Sequence, residues 1–206
     1  MTLQDELAAF YQRSGFGPVI GARPCTVQVY TGCLLVPMPN IETRRRYLKY
    51  HDLHHLITGY SVGRIGEGEV SAWELGTRSW LVSPMLGGMN LIALSTGLVL
   101  KPRRMWRAFR RGRRSRNLYP AAVRAAVDAG HWPDIDALRA DVLETRNAST
   151  LPPILDALEF AAYSSAAMIV HFSIAIPAVI ARFVTDLSLG YSIFQAVKPA
   201  RRSDLY

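Results

Sequence analysis

Apolar residues at helical spacing open the chain: Leu3, Leu7, Phe10 and Tyr11 predict a short amphipathic helix over residues 3–13, docked on a core. A Gly/Pro-rich segment, residues 15–24, breaks it. The β-branched run 26–36 suits extended backbone, but no partner strand is evident, so an irregular segment or a lone strand is expected, closed off by Pro37 and Pro39. Residues 41–58 then read as a helix, with Asn40 placed to cap its start and Gly59 to stop it. Another helix is predicted from near Gly66 through Trp73 and Glu74 to about Trp80. On it Glu67, Ser71, Glu74 and Arg78 share one face, while Glu69 lies opposite with Trp73 and Trp80.

Two long stretches carry no charge. The first, residues 80–100, has the ~20 residues of a membrane span. Pro84, the Gly87-Gly88 pair and basic flanks on both sides argue instead for two shorter helices, buried or lying in a membrane interface. The second, residues 160–181, is interrupted only by His171 and Pro177, and a weaker apolar run, 187–197, precedes Lys198, Arg201 and Arg202. Between the two, residues 101–116 interleave arginines with Met105, Trp106 and Phe109, and helical material resumes at 121–129 and 134–144. Leu151-Pro152-Pro153 reads as a linker. The pattern predicts an all-α chain without internal repeats: a helical domain over 1–150, then an apolar helical C-terminal extension over 151–206 that serves as membrane anchor or lid.

Composition refines this picture. With 206 residues, 50% of them hydrophobic and 19% charged, the chain suits one ordinary domain plus an appendage. The formal net charge of +8 is concentrated in Lys101, Arg103, Arg104, Arg107, Arg110, Arg111, Arg113, Arg114 and Arg116, a block that calls for an anionic partner. Nucleic acid would fit the charge, but no recognition motif surrounds it. Its apolar neighbour favours a membrane surface or the acidic group of a lipid, contacted by Arg110, Arg111, Arg113 and Arg114. Cys25 and Cys33 have no metal-like spacing and are too few for a disulfide framework, so they are read as reduced packing residues. Acids in the first six residues argue against a secretory signal, which leaves the Asn147-Ala148-Ser149 sequon without consequence. The expected location is the cytoplasmic side of a membrane, peripheral or anchored by the tail.

The candidate chemistry lies in His51-Asp52-Leu53-His54-His55 and, eleven residues on, Glu67. At about 100° per residue, His51, Asp52 and His55 fall within an arc of about 100° on one helix face. A carboxylate returning from a second helix could complete a small metal shell, which would make this a metal site between two helices. Imidazole with carboxylate suits zinc, iron, manganese or cobalt better than calcium. Geometry nominates Glu67 and Glu74 together, or Glu69 alone. Glu74 reads more naturally as a solvated residue pairing with Arg78, and His54 and Glu69 as groups flanking or supporting the ligands. Five histidines cannot supply the several histidine boxes of a membrane desaturase. Gly63-x-x-Gly66-x-Gly68 lacks the phosphate-loop and dinucleotide patterns, so no nucleotide cofactor is implied.

His51-Asp52-x-x-His55 followed by Glu67 resembles the signature of the Coq-four family of coenzyme Q (ubiquinone) biosynthesis proteins. The likeness extends through Tyr47, Gly59, Gly66-Glu67, Trp73-Glu74, Trp106, Gly112-Arg113-Arg114 and Asn117-Leu118-Tyr119, over about residues 20–146. It implies an all-helical fold and a divalent metal, zinc first, held by His51, Asp52, His55 and Glu67. It further implies an apolar channel for a prenyl-type lipid and action at membranes. The reaction would replace the ring carboxylate of a prenylated quinone precursor with a hydroxyl, an oxidative decarboxylation. Other quinone-pathway proteins are implied partners, and a homodimer stays open. The rival expectations are a non-catalytic prenyl-lipid scaffold that organises such enzymes, and a nucleic-acid-binding protein using residues 101–116. Glu69 and the doubled His54-His55 are additions to the family pattern, and residues 151–206 lie outside it.

Overall fold

A computed structural model describes residues 2–14, 26–31, 34–145 and 153–188. Residues 15–24, Cys25, Cys33, the sequon at 147–149, residues 151–152 of the linker and residues 189–206, with Lys198, Arg201 and Arg202, lie outside the described residues.

The chain is all-α. Helix α1 (Leu3–Ser14) is followed by a β-hairpin of β1 (Thr26–Thr31) and β2 (Leu34–Pro39), then α2 (Glu42–Thr58) and α3 (Arg64–Gly76). After a 3₁₀ turn at Ser79–Leu81 come α4 (Pro84–Leu100), α5 (Pro102–Arg113), α6 (Ala121–Asp128), α7 (Ile135–Val142) and α8 (Pro153–Ser188). The run 26–36, expected as irregular or a lone strand, covers β1 and the first three residues of β2, which form an antiparallel pair in which Thr26 faces Pro39 and Gln28 faces Pro37. The two prolines disguised the partner; in a two-stranded ribbon each strand keeps an open edge, where a missing amide breaks no ladder.

Several helix ends differ from expectation for local reasons. Helix α2 starts at Glu42 after Ile41, and Asn40, one residue too early to cap it, instead accepts from the Arg44 guanidinium at 3.4 Å. Gly59 stops α2 as expected, at φ 76°, with its amide donating to the His55 carbonyl. Helix α3 ends at Gly76, because Arg78 takes a left-handed conformation (φ 64°) and the chain restarts as the 3₁₀ turn. The uncharged run 80–100 forms this turn and one helix of 17 residues rather than two helices. Pro84 lies in the first turn of α4, where no intrahelical acceptor awaits its missing amide, so it begins the helix instead of breaking it.

Helix α3 is the centre of the packing, buried over most of its surface. Glycines let its neighbours approach: a Cβ on Gly76 would strike the Phe109 carbonyl, and one on Gly112 the Trp73 carbonyl. Leu53, Ile57, Trp73, Leu94 and Phe109 fill the core at 1% exposure or less. Helix α1 docks through Leu3, Leu7 and Phe10 as its spacing predicts. Residues Ile154–Pro177 of α8 form the one described helix long and apolar enough, by length and composition, to cross a membrane.

Candidate metal centre

One turn of α2 separates His51 from His55, and the short connection through Gly59 brings α3 back with Glu67 facing both. His51 Nε2 lies 3.3 Å from Glu67 Oε2, and His55 Nε2 lies 3.3 Å from Glu67 Oε1. One donor atom from each of the three residues falls within 4.8 Å of the others, a spacing that could hold a metal ion. The two imidazoles stand nearly perpendicular, at 86°, with centroids 5.0 Å apart.

The opposite ring nitrogens fix this orientation. His55 Nδ1 is 3.1 Å from the Tyr60 carbonyl, which can only accept, so Nδ1 carries a proton and Nε2 is the nitrogen turned to Glu67. That Nε2 is buried and has no hydrogen-bond partner. A buried ring nitrogen turned to a carboxylate calls for a cation between them, a proton or a metal ion, and the residues present fit a divalent metal. His51 Nδ1 is held in the same manner by Glu74 Oε1 at 2.9 Å, an arrangement that orients metal-binding histidines.

Glu74 corrects the expectation of a solvated residue paired with Arg78. It is fully buried, and one of its oxygens accepts from His51 Nδ1, from His54 Nδ1 at 2.7 Å and from the Tyr119 hydroxyl at 2.6 Å. Helix α3 is enclosed on most sides, so the face carrying Glu67 and Glu74 turns to α2, where Glu74 is sealed off and Glu67, nearer the helix start, stays partly open. His54 is likewise fully buried; its Nε2 accepts from the Leu118 amide at 3.0 Å, leaving the proton on Nδ1. His54 therefore supports Glu74 and is not aimed at the candidate metal position. Glu69 points away, in a bidentate pair with Arg104 at 2.8 and 2.7 Å.

Asp52, expected as a fourth ligand, is not among the three converging groups. It sits at the edge of the arc, about 100° from His51, and its Oδ2 accepts from the Tyr11 hydroxyl of α1 at 3.0 Å. Burial pushes the Asp52 carboxyl up, against the lowering effect of His51 and Tyr11. Burial also opposes charge on His51, but the Glu74 and Glu67 carboxylates outweigh it and hold His51 well above the ordinary imidazole range. Glu67 and Glu74 are pushed up by burial and down more strongly by the neighbouring histidines, ending below the usual carboxylate range. Burial pushes His54 down, consistent with its neutral tautomer. Without metal, a proton on His51 serves as the cation between two carboxylates; a metal would displace it.

The four arginines expected to meet an anion divide. Arg113 is buried and pairs with Asp156 at 2.9 Å and Glu159 at 3.3 Å, so it belongs to the packing of α8 and not to a surface. Arg111 donates to the Thr58 carbonyl at 2.8 Å and pairs with Glu144, to which Arg114 also reaches. Arg110 is exposed, over the Trp106 ring at 5.8 Å. No pattern along the chain signals the roles of Tyr11, the Tyr60 carbonyl or the Leu118 amide, because these contacts join segments far apart or use backbone atoms.

No family model, no curated protein and no solved structure matches this chain.

Proposed function

We propose that this chain is a metal-dependent protein of the Coq-four type that acts on the ring of a prenylated quinone precursor at the cytoplasmic side of a membrane. The observation that carries the reading is the convergence of two histidine Nε2 atoms and Glu67, each histidine fixed from behind by an acceptor. Two features support the step from metal site to family. The His51-Asp52-x-x-His55 and Glu67 series stands in the family's order. The flanking residues that share the likeness have definite duties: Gly59 ends α2, Gly112 admits the α3 backbone, and Asn117 Nδ2 bonds Thr77 Oγ1 at 3.0 Å beside Tyr119.

His51, His55 and Glu67 would hold the metal, zinc first, with iron, manganese or cobalt also suited to the set. Bound there, it supplies positive charge for a carboxylate or phenolate oxygen of the substrate. Glu67 and His51 are the exposed members of the triad, with 37% and 20% of their side chains open to solvent, so substrate approaches from their side. Asp52, held toward its protonated form by burial and anchored by Tyr11, is the group placed to give or take a proton beside the reacting ring. Exchange of a ring carboxylate for a hydroxyl is a two-electron oxidation in which one oxygen atom enters the ring and carbon dioxide leaves, so it requires either dioxygen with a two-electron reductant, the second oxygen atom leaving as water, or a peroxide as oxygen donor.

A second reading is favoured by the enclosed cage of Glu74, His54 and Tyr119: the metal pins α2 to α3 in a prenyl-lipid-binding scaffold that gathers other quinone-biosynthesis proteins. Metal-loaded protein incubated with a prenylated hydroxybenzoate and either dioxygen with a two-electron reductant or a peroxide, with products followed by mass spectrometry, separates the two. Turnover lost in Glu67→Ala supports catalysis; absence of turnover by protein of full metal content leaves the scaffold.

A further inference from the structure

The cations of α5 and of its two capping residues, Lys101 and Arg114, fall into two groups. Arg104, Arg111, Arg113 and Arg114 are committed to Glu69, Glu144, Asp156 and Glu159. Lys101, Arg103, Arg107 and Arg110 are exposed and take part in none of the ion pairs among the described residues. At about 100° per residue, Arg103, Arg107 and Arg110 lie within an arc of about 60°. Trp106, Phe109 and Arg113 meet α8, through Phe160 at 5.2 Å and the Asp156 pair, from a face about 90° round the axis. The unneutralised stripe therefore borders α8.

Helix α8 has two unlike sides. Asp156, Phe160, Tyr163, Ala167, His171 and Ala175 face the domain, where His171 Nδ1 lies 3.3 Å from Ser95 Oγ of α4. On the other side Ile154, Leu158, Ile169, Phe172, Ile176 and Ile180, three, four or eleven residues apart, are each more than half exposed. The inward contacts run from Asp156 to Ala175, almost the full length of the candidate span Ile154–Pro177. To cross a bilayer through its uncharged run, residues 160–181, the helix would have to leave α4, which it meets as far along as His171 and Ser95, or carry α4 into the hydrocarbon with it. Its 36 residues extend about 54 Å, against a hydrocarbon core of about 30 Å.

We infer that α8 lies in the plane of an anionic lipid bilayer, its apolar stripe in the interface, while Lys101, Arg103, Arg107 and Arg110 meet head-group phosphates and the helix does not cross. Two adjoining stripes, one aliphatic and one cationic, match the two layers at a membrane surface. Nucleic acid would satisfy the cations and leave the isoleucines in water. A second copy docked about a two-fold axis would cover the isoleucines and bring like charges together. The inference concerns where the chain sits and stands apart from the chemistry at His51, His55 and Glu67.

The test uses the full chain and flotation with phosphatidylcholine vesicles, with and without phosphatidylserine. Binding is expected on the anionic vesicles, weakened by salt. The triple variant Arg103→Gln, Arg107→Gln, Arg110→Gln should lose about fivefold per charge, on the order of a hundredfold in all. Phe172→Ser with Ile176→Ser should bind both vesicle types less, and an alkaline carbonate wash should release the wild type. Metal content and circular dichroism, unchanged in each variant, keep these results independent of the metal site. Resistance to carbonate would establish a crossing helix. Undiminished binding of the triple variant, competition by DNA through the same arginines, or a soluble dimer dissociated by the Phe172 and Ile176 changes would each overturn the in-plane surface.

Discussion

Glu74→Gln keeps the shape of a fully buried side chain and removes its charge, which makes it an informative perturbation of the site. In the wild type one carboxylate oxygen takes three donors, from His51, His54 and Tyr119, and the other takes none. An amide can keep its oxygen toward the three donors only by placing its NH₂ where no acceptor waits, an unsatisfied buried donor that costs about 1–3 kcal/mol. The reverse orientation would set two donors against three. The fold should therefore lose about 1–3 kcal/mol, read from denaturant unfolding of the metal-free protein. Metal affinity should fall 10–100-fold, about 1.4–2.7 kcal/mol, because His51 loses the anionic acceptor that orients it and makes it more basic. Competition with a chromophoric chelator measures this on folded protein, apart from the stability change. Tyr119→Phe is the control: it removes one donor but no charge, and should cost about 1 kcal/mol of stability with metal affinity close to wild type. Folded Glu74→Gln protein that binds metal as tightly as wild type would refute the orienting role.

Other consequences follow from the packing and the titrating groups. Gly112→Ala places a methyl against the Trp73 carbonyl and should destabilise the protein by about 1–3 kcal/mol or more, seen as a lowered Tm without any change in metal stoichiometry. Truncation after residue 150 removes both acids that face buried Arg113, so it should cost about 3–5 kcal/mol and weaken the helical domain itself rather than detach an independent tail. His51, held above its ordinary 6.5, stabilises metal-free protein below that pH and ceases to do so as pH rises through its raised value; Glu67 and Glu74, held below their ordinary 4.5, stabilise above 4.5 and cease as pH falls. The contribution of His51, Glu67 and Glu74 in metal-free protein is thus greatest between 4.5 and 6.5, while His54, held low by burial, offsets part of it as pH falls below 6.5; the rise in Tm on adding metal should grow with pH as the competing His51 proton leaves. Melting curves with and without metal across this range check both trends, and a metal-induced shift independent of pH would contradict them.

Periodicity and spacing revealed much of this in advance. The four-residue step from His51 to His55 and the return of Glu67 after Gly59 are properties of single helices and one turn, so local geometry suffices to place them. The apolar spacing of α1 was legible for the same reason. What escaped depends on which neighbour covers a face. Glu74 shares a helix face with Arg78 in a straight helix, but α3 ends at Gly76 and the left-handed Arg78 lies beyond it, so the pair has no common helix. Arg113 looks like its neighbours in sequence, and only the docking of α8 turns it into a buried ion-pair partner. Asp52 lies in the right arc but at its edge, where Tyr11 from a distant helix takes its oxygen.

The most direct measurement is metal content by elemental analysis of wild type, His55→Ala and Glu67→Ala purified side by side, with circular dichroism to show that each is folded. A metal centre held by His51, His55 and Glu67 predicts near-stoichiometric divalent metal in the wild type and its loss in both variants, since each removes one of the three converging donors. Folded wild-type protein that neither retains nor takes up metal would contradict it, as would variants that bind metal as the wild type does.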